Sequence, residues 1–142
     1  MRVTFNVLGA PQGKQRPRFF RKGNHVGTYT PDKTVIYENL VKMSYRQEQI
    51  PNMLSGAIKA EIVAVFPIPK SASQKTKQRM ASGIEPHTKK ADCDNIAKAI
   101  LDALNGIAYR DDAQICMLSV KKIYGDRARV EVTLTEIEGY AV

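Results

Sequence analysis

The sequence predicts a single α+β domain in which a mixed β-sheet packs against helices. Three observations lead to this fold class. Strand-like and helix-like segments intermix along the 142 residues, 43% of the residues are hydrophobic, and no segment has the composition of a linker between domains. The predicted order is strand, helix, strand, helix, helix, strand, strand.

The first strand is predicted over residues 2–8, where Val3, Phe5 and Val7 share one face. A loop should follow, because glycines and prolines interrupt regular structure between residues 9 and 17. Thr30-Pro31-Asp32 indicates a helix start, with the Thr30 hydroxyl as N-cap. The helix should run to about Gln49.

The apolar stripe expected on this first helix is formed by Ile36, Leu40 and Met43. Residues 57–66 predict the next strand, which Pro67 ends. Ser71 and Gln74 resemble a capping box and would start a short basic helix to about residue 81.

The clearest helix is predicted over residues 95–104, with Ile96, Ile100, Ala103 and Leu104 facing the core. Residues 113–124 and 128–137 alternate like strands. The short connection between them, around Gly125-Asp126, favours an antiparallel hairpin.

The chain is strongly basic, with a net charge of +8 and a pI of about 9.6, which favours a polyanionic partner such as nucleic acid. No apolar run approaches the roughly 20 residues of a membrane helix, and the N-terminus lacks the apolar block of a signal peptide. We therefore expect a cytoplasmic protein without a membrane partner. Two cysteines do not make a disulfide framework.

Five of the 14 acidic residues fall within residues 92–112. Asp92 and Asp94 are two apart and would point to the same side of an extended chain. Lys98 lies one helical turn beyond Asp94 and could bind a phosphate. The return loop, residues 105–110, is long enough to bring Asp111 and Asp112 back beside the first pair.

Carboxylates grouped in this way require a cation, and oxygen ligands without histidine suit Mg²⁺, or Mn²⁺ in its place. The corresponding chemistry is hydrolysis of a phosphodiester. Asp102 shares the helix face but lies farther along, so it is left outside the expected metal site. Cys93 and Cys116 match no zinc pattern with His25 and His87, and are expected to be small buried side chains.

Each residue of this group also has a plain structural interpretation. Asp94 could serve as a helix N-cap, Asp111-Asp112 as a turn before a strand, and Tyr109 as a packing residue. For each residue taken singly, the structural interpretation is preferred. Taken together, the shared helix face of these side chains and the reach of the return loop favour a metal site.

Two basic groups are candidates for a nucleic-acid surface, because arginine binds phosphate bidentately and an exposed phenylalanine can stack on a base. The first group is Lys14, Arg16, Arg18, Phe19, Phe20, Arg21 and Lys22, and the second is Lys75, Lys77, Arg79, Lys89 and Lys90.

The segment ADCDNIAKAILDALNGIAYRDDAQI resembles the signature of the RusA family of Holliday junction resolvases, and the early GAPQGKQRPRF is similar to that family's N-terminal stretch. The resemblance implies an Mg²⁺-dependent endonuclease that acts on four-way junctions or other branched DNA as a homodimer, often encoded by phages or prophages. Its catalytic acids would be Asp92, Asp94 and Asp112, assisted by Lys98, with Asp111 as a further candidate metal ligand.

Two other functions remain open on the sequence. The chain could be a branched-DNA-binding protein whose aspartates are structural, or a related nuclease that acts on flaps or RNA. The resolvase hypothesis fits a homodimer. One chain offers one site, and resolution of a four-way junction requires two symmetric nicks.

Overall fold

The computed structural model describes residues 1–140, which form a four-stranded sheet, a separate two-stranded hairpin and three α-helices. In chain order the elements are β1 (Arg2–Leu8), β2 (Arg18–Lys22), β3 (His25–Tyr29), α1 (Asp32–Arg46), β4 (Ile58–Pro67), α2 (Gln74–Ala81), α3 (Cys93–Ala103), a 3-10 turn (Asp112–Gln114), β5 (Ile115–Gly125) and β6 (Arg129–Glu136). The predicted α+β class is confirmed. No helix in this part of the chain is long and apolar enough to cross a membrane.

The main sheet has the strand order β1-β6-β4-β5. Strand β6 pairs antiparallel with both β1 and β4, whereas β4 and β5 run parallel, so the sheet is mixed as expected. Val3, Phe5 and Val7 are buried on β1, as the alternation predicts. The core lies between this face of the sheet and helices α1 and α3, which contact each other.

The predicted hairpin of the last two strands is wrong. Strand β4 lies between β5 and β6, and residues 126–128 carry the chain across its end, where Gly125 is paired with Pro67. Alternation identifies strands but not their neighbours. Strand β4 is the most thoroughly buried strand, and such a strand is stabilised best with a pairing partner on each edge.

Helix α1 begins at Asp32 with Pro31 in the N-cap position, so Thr30 lies one residue too early to be the predicted cap. The helix ends at Arg46 rather than near Gln49. The predicted apolar stripe is also wrong, since Ile36 and Met43 are 69% and 58% exposed.

The buried face of α1 is formed instead by Thr34, Tyr37, Val41 and Tyr45. The ring of Tyr45 packs edge-on against Phe5, with ring centroids 5.5 Å apart. Aromatic rings bury more surface than aliphatic side chains, which decides the orientation of the helix and leaves Ile36, Leu40 and Met43 in solvent.

The predicted loop between residues 9 and 17 is confirmed, and a β-hairpin that the sequence pattern did not indicate follows it. Strands β2 and β3 pair antiparallel, with Phe20 opposite Gly27. A Cβ atom on Gly27 would lie 2.6 Å from the Phe20 ring, so this ring requires a glycine across the hairpin. Every residue of β2 is exposed, which places the hairpin outside the core.

Two smaller expectations are also corrected. Helix α2 is capped by Ser73, whose side chain accepts a hydrogen bond from the Thr76 N–H, rather than by Ser71. Cys93 and Cys116 are exposed instead of buried.

The crossing of the chain over the end of β4 leads to a stability prediction. A Cβ on Gly125 would meet Cγ1 of the buried Val65 at 2.6 Å. We expect Gly125→Ala to destabilise the protein by about 1–3 kcal/mol in urea denaturation. Gly139→Ala is the control, since in the described chain nothing lies within 4 Å of its Cβ position. Equal stability of the two variants would contradict this crossing.

Candidate functional site

Helix α3 has one face in the core and one face of charged residues. Ile96, Ile100, Ala103 and Leu104 are buried, which confirms the predicted core face. On the other side, Asp94, Lys98 and Asp102 follow one another at intervals of four residues and therefore line one stripe.

The helix starts two residues earlier than the sequence suggested. Cys93 is its first residue, Asp92 occupies the N-cap position, and Asp94 lies in the first turn. The extended-chain argument for the first acidic pair is therefore wrong, and so is the prediction of Asp94 as the N-cap. Both carboxylates are exposed at the positive end of the helix dipole.

The return loop is anchored by Tyr109. Its side chain is fully buried, and its hydroxyl donates a hydrogen bond to the Leu101 carbonyl, so the prediction of a packing role is confirmed. Gly106, with a φ of +74°, donates its N–H to the Tyr109 carbonyl at 2.8 Å and closes the loop. Burial raises the pKa of Tyr109 far above its usual value, and the carboxylates of Asp112, Asp102 and Asp111 raise it further.

The two acids at the end of the loop have different surroundings. Asp111 accepts a hydrogen bond from the Ala113 N–H at 3.0 Å, and the Gln114 side chain accepts from the Asp111 N–H at 3.1 Å. This capping box fixes the turn. Asp112 instead donates its backbone N–H to the Asn105 side chain at 2.8 Å, and its carboxyl group faces α3.

Asp112 is anchored to Asn105, whose own N–H donates to the Asp102 carbonyl, so the return loop brings Asp112 beside Asp102, the residue left outside the expected metal site. Burial, then Asp102 and Asp111, raise the pKa of Asp112. Burial alone would raise the pKa of Asp102, but the hydrogen bonds with Lys14 and Asp112 and the positive charges of Lys14 and Lys98 together lower it. The loop thus returns to the last turn of α3, not to its first.

Lys14 was predicted to bind nucleic acid, but its ammonium group lies among carboxylates. Its Nζ atom is 2.8 Å from Asp102 Oδ2 and 3.3 Å from Glu38 Oε2, and its side chain is only 19% exposed. Burial would lower the pKa of Lys14, and the two acidic partners raise it above its usual value. Charge counting along the sequence could not find this contact, because the three residues are far apart in the chain.

The donor set suits a hard divalent cation. Within residues 1–140, no three His, Cys, Asp or Glu side chains converge closely enough to hold a metal alone. Mg²⁺ in phosphoryl-transfer sites usually takes one or two carboxylates, with water and substrate phosphate completing its shell. Asp92 and Asp94 are exposed and fit this mode of binding, whereas Asp112 is half-buried beside the last turn of α3 and does not converge with them in the described chain.

The first basic group divides between the acidic stripe and the hairpin. Arg16 is exposed in the loop before β2, and Arg18, Arg21 and Lys22 are exposed on the hairpin itself. Phe20 packs on Gly27 and near the His25 and Tyr29 rings. Phe19 points to the opposite face and is 80% exposed, so it is the phenylalanine available for stacking.

The second basic group reaches the acidic stripe at its N-terminal end. Lys75, Lys77 and Arg79 lie on α2, and Lys89 and Lys90 directly precede the acidic segment. Lys90, Lys33 and Asp92 line one cleft of about 600 Å³. Cationic side chains therefore border the first acidic residue.

The crowding of Asp112 leads to a second stability prediction. Its pKa is raised in the folded protein, so ionisation costs stability above that pKa, and this cost is absent below the ordinary pKa of aspartate. We expect Asp112→Asn to raise the melting temperature at pH 7 in EDTA by roughly 1–3 °C, with the gain vanishing in strong acid. The charge-matched control, Asp126→Asn on an exposed loop, should show no such gain. A lower melting temperature for Asp112→Asn would contradict the crowding.

Comparison with known proteins agrees with the signature in the sequence. A family model described as endodeoxyribonuclease RusA matches residues 9–135. A protein of Bacillus subtilis (strain 168), uncharacterized protein YqaN, is 32% identical over 137 residues, which cover 95% of this chain and 96% of that protein. The matched range contains the acidic stripe, the return loop and the basic hairpin, and the chain belongs to the RusA endodeoxyribonuclease family.

Proposed function

We propose that the protein is an Mg²⁺-dependent, structure-selective endonuclease that resolves Holliday junctions by paired symmetric nicks, in DNA recombination and repair. Membership of an endodeoxyribonuclease family supports DNA cleavage. The observation that carries the proposal is the exposed stripe on α3, where carboxylates alternate with Lys98 beside a basic surface. We place the enzyme in the cytoplasm.

Asp92, Asp94 and Asp112 are the proposed metal ligands, with Asp111 as an additional candidate whose carboxylate already caps the turn. Mn²⁺ is the expected substitute for Mg²⁺. When bound, the ion would activate a water molecule and stabilise the oxygen that leaves the phosphorus. The exposed positions of Asp92 and Asp94 leave room for solvent and a phosphodiester on the same side.

Lys98 is the proposed phosphate-binding residue of the site. It is exposed, and it follows Asp94 by one helical turn on the same face. Its ammonium group would bind a non-bridging phosphate oxygen and stabilise the negative charge that develops during in-line attack. Nearby Asp102 is held by Lys14, so Lys98 keeps its own charge available for the substrate.

DNA is proposed to lie across the hairpin and along the basic residues that precede α3. Arg16, Arg18, Arg21 and Lys22 would contact phosphates, and Phe19 would stack on a base at the opened branch point. Lys75, Lys77, Arg79, Lys89 and Lys90 would extend the track, since Lys90 and Asp92 share one cleft.

A homodimer is proposed because a four-way junction has approximate two-fold symmetry and each chain supplies one acidic site. A junction-binding protein without activity, or a nuclease specific for flaps or other substrates, would be revealed by the same cleavage experiment. The exposed positions of Asp92 and Asp94 favour a catalytic role over a purely structural one.

The cleavage experiment compares a labelled mobile four-way junction with linear duplex and flap substrates in Mg²⁺. We expect paired nicks at symmetric positions in the junction. Asp94→Asn should bind the junction normally but cut it at least about 100-fold more slowly, because a proposed metal ligand is lost. Glu48→Gln, which makes the same charge change at an exposed position after α1, should cut at the wild-type rate. Undiminished cutting by Asp94→Asn would refute the site, and equal cutting of flaps would refute junction selectivity.

The proposed DNA surface is tested by the double variant Arg16→Gln/Arg18→Gln. Loss of two phosphate contacts should weaken junction binding and reduce the slope of log Kd against log salt concentration by about 1–2. The matched control is Arg2→Gln/Arg127→Gln, which removes two exposed arginines outside both basic groups. If the salt slope is the same in both double variants, the hairpin segment does not contact DNA.

A further inference from the structure

We propose that Lys14 is a positioning residue of the metal site and not a DNA contact: it fixes the Asp102 carboxylate, against which the return loop places Asp112. This inference rests on the proposed function, in which Asp112 is a metal ligand. The basic N-terminal segment indicated that Lys14 binds DNA, and the proposal replaces that role with one inside the protein.

The contacts of the Lys14 ammonium group support this role. It lies 2.8 Å from Asp102 Oδ2 and 3.3 Å from Glu38 Oε2, and all three side chains are less than one quarter exposed. Hydrogen bonds between ionised partners are stronger than neutral ones, and partial burial protects this bridge from screening. A DNA phosphate would have to approach the ammonium group past two carboxylates, which would repel it.

The backbone around Lys14 is fixed as firmly as its side chain. The Lys14 N–H donates to the Asn95 carbonyl at 3.0 Å, and the Gln15 N–H donates to the Thr34 hydroxyl at 3.2 Å. A Cβ atom on Gly13 would lie 3.0 Å from the Cβ atoms of both Ala91 and Asn95. The segment is therefore packed tightly on the start of α3 and bonded to α1, and its lysine is held beside the acidic stripe.

Lys14 also explains how two carboxyl groups can face each other across the helix and the loop. The Asp112 N–H donates to the Asn105 side chain at 2.8 Å, and the Asn105 N–H donates to the Asp102 carbonyl at 3.3 Å, so the two carboxyl groups are neighbours, which is unfavourable when both are ionised. The ammonium group compensates the charge of Asp102 and holds its Oδ2 atom. A fixed Asp102 then defines the position that the Asp112 side chain takes at the end of the return loop. Residues of this kind, which orient a metal ligand without touching the metal, commonly change metal affinity by about 10–100-fold when removed.

The test compares Lys14→Met, which removes the charge at similar length, with Lys14→Arg, which retains it. Glu38→Gln is the matched control, because it removes the other acidic partner and leaves the bond between Lys14 and Asp102 in place. Three quantities are measured: Mn²⁺ binding without DNA, junction binding in EDTA with its salt dependence, and the Mg²⁺ concentration for half-maximal cleavage.

We expect Lys14→Met to weaken Mn²⁺ binding about 10-fold or more and to raise the required Mg²⁺ concentration in proportion, with junction affinity and salt slope unchanged. Lys14→Arg should recover most of the Mn²⁺ affinity, and Glu38→Gln should stay within about 3-fold of wild type. Rescue by arginine separates positioning from a general loss of folding, which the melting temperatures of all three variants also report.

Two results would overturn the proposal. Weaker junction binding with a reduced salt slope, together with normal Mn²⁺ binding, would make Lys14 a phosphate contact. Normal Mn²⁺ binding by a folded Lys14→Met protein would also remove the positioning role, as would failure of the wild-type protein to bind Mn²⁺. If wild type binds Mn²⁺ but cuts no junction, the proposed function fails while the Mn²⁺ affinities still decide the role of Lys14.

Discussion

Helix α3 has to satisfy two requirements at once, and the rest of the structure depends on how it does so. One face is sealed in the core by Ile96, Ile100 and Leu104, all fully buried. The other face carries charged side chains that would be strongly unfavourable if the helix rotated. The apolar face therefore fixes the direction of the charged stripe, and a rigid core element holds the proposed ligands where a mobile loop could not.

Placing carboxylates side by side costs stability, and the fold offsets part of this cost locally. Lys14 neutralises Asp102, while the capping box of Asp111 and Gln114 fixes the turn that delivers Asp112. Asp112 itself is left with a raised pKa. A nearby cation would favour the ionised form of a carboxyl group that the protein alone opposes. Asp112 is therefore the carboxylate whose ionisation would gain most from the proposed metal ion.

The sequence predicted those parts of the protein in which local patterns decide the outcome. Helix α3 and its core face follow from helical periodicity, and the RusA signature was confirmed by the family match. The orientation of α1 could not be predicted in this way, because burial of the Tyr37 and Tyr45 rings outweighs exposure of Ile36. The neighbours of β5 and the partners of Lys14 depend on contacts between distant segments, which periodicity and charge counts do not encode.

The hairpin of β2 and β3 has a consequence for how the protein can diverge. Within residues 1–140 it pairs with itself and not with the four-stranded sheet, and nearly all of its side chains lie in solvent. Substitutions there remove little buried surface, so they place a small burden on folding. The restricted positions are Gly27, beneath the Phe20 ring, and Gly23, which has a φ of +61° in the turn. The proposed DNA-contacting surface can therefore vary rapidly among descendants, while selection on the core and on the acidic helix stays strict.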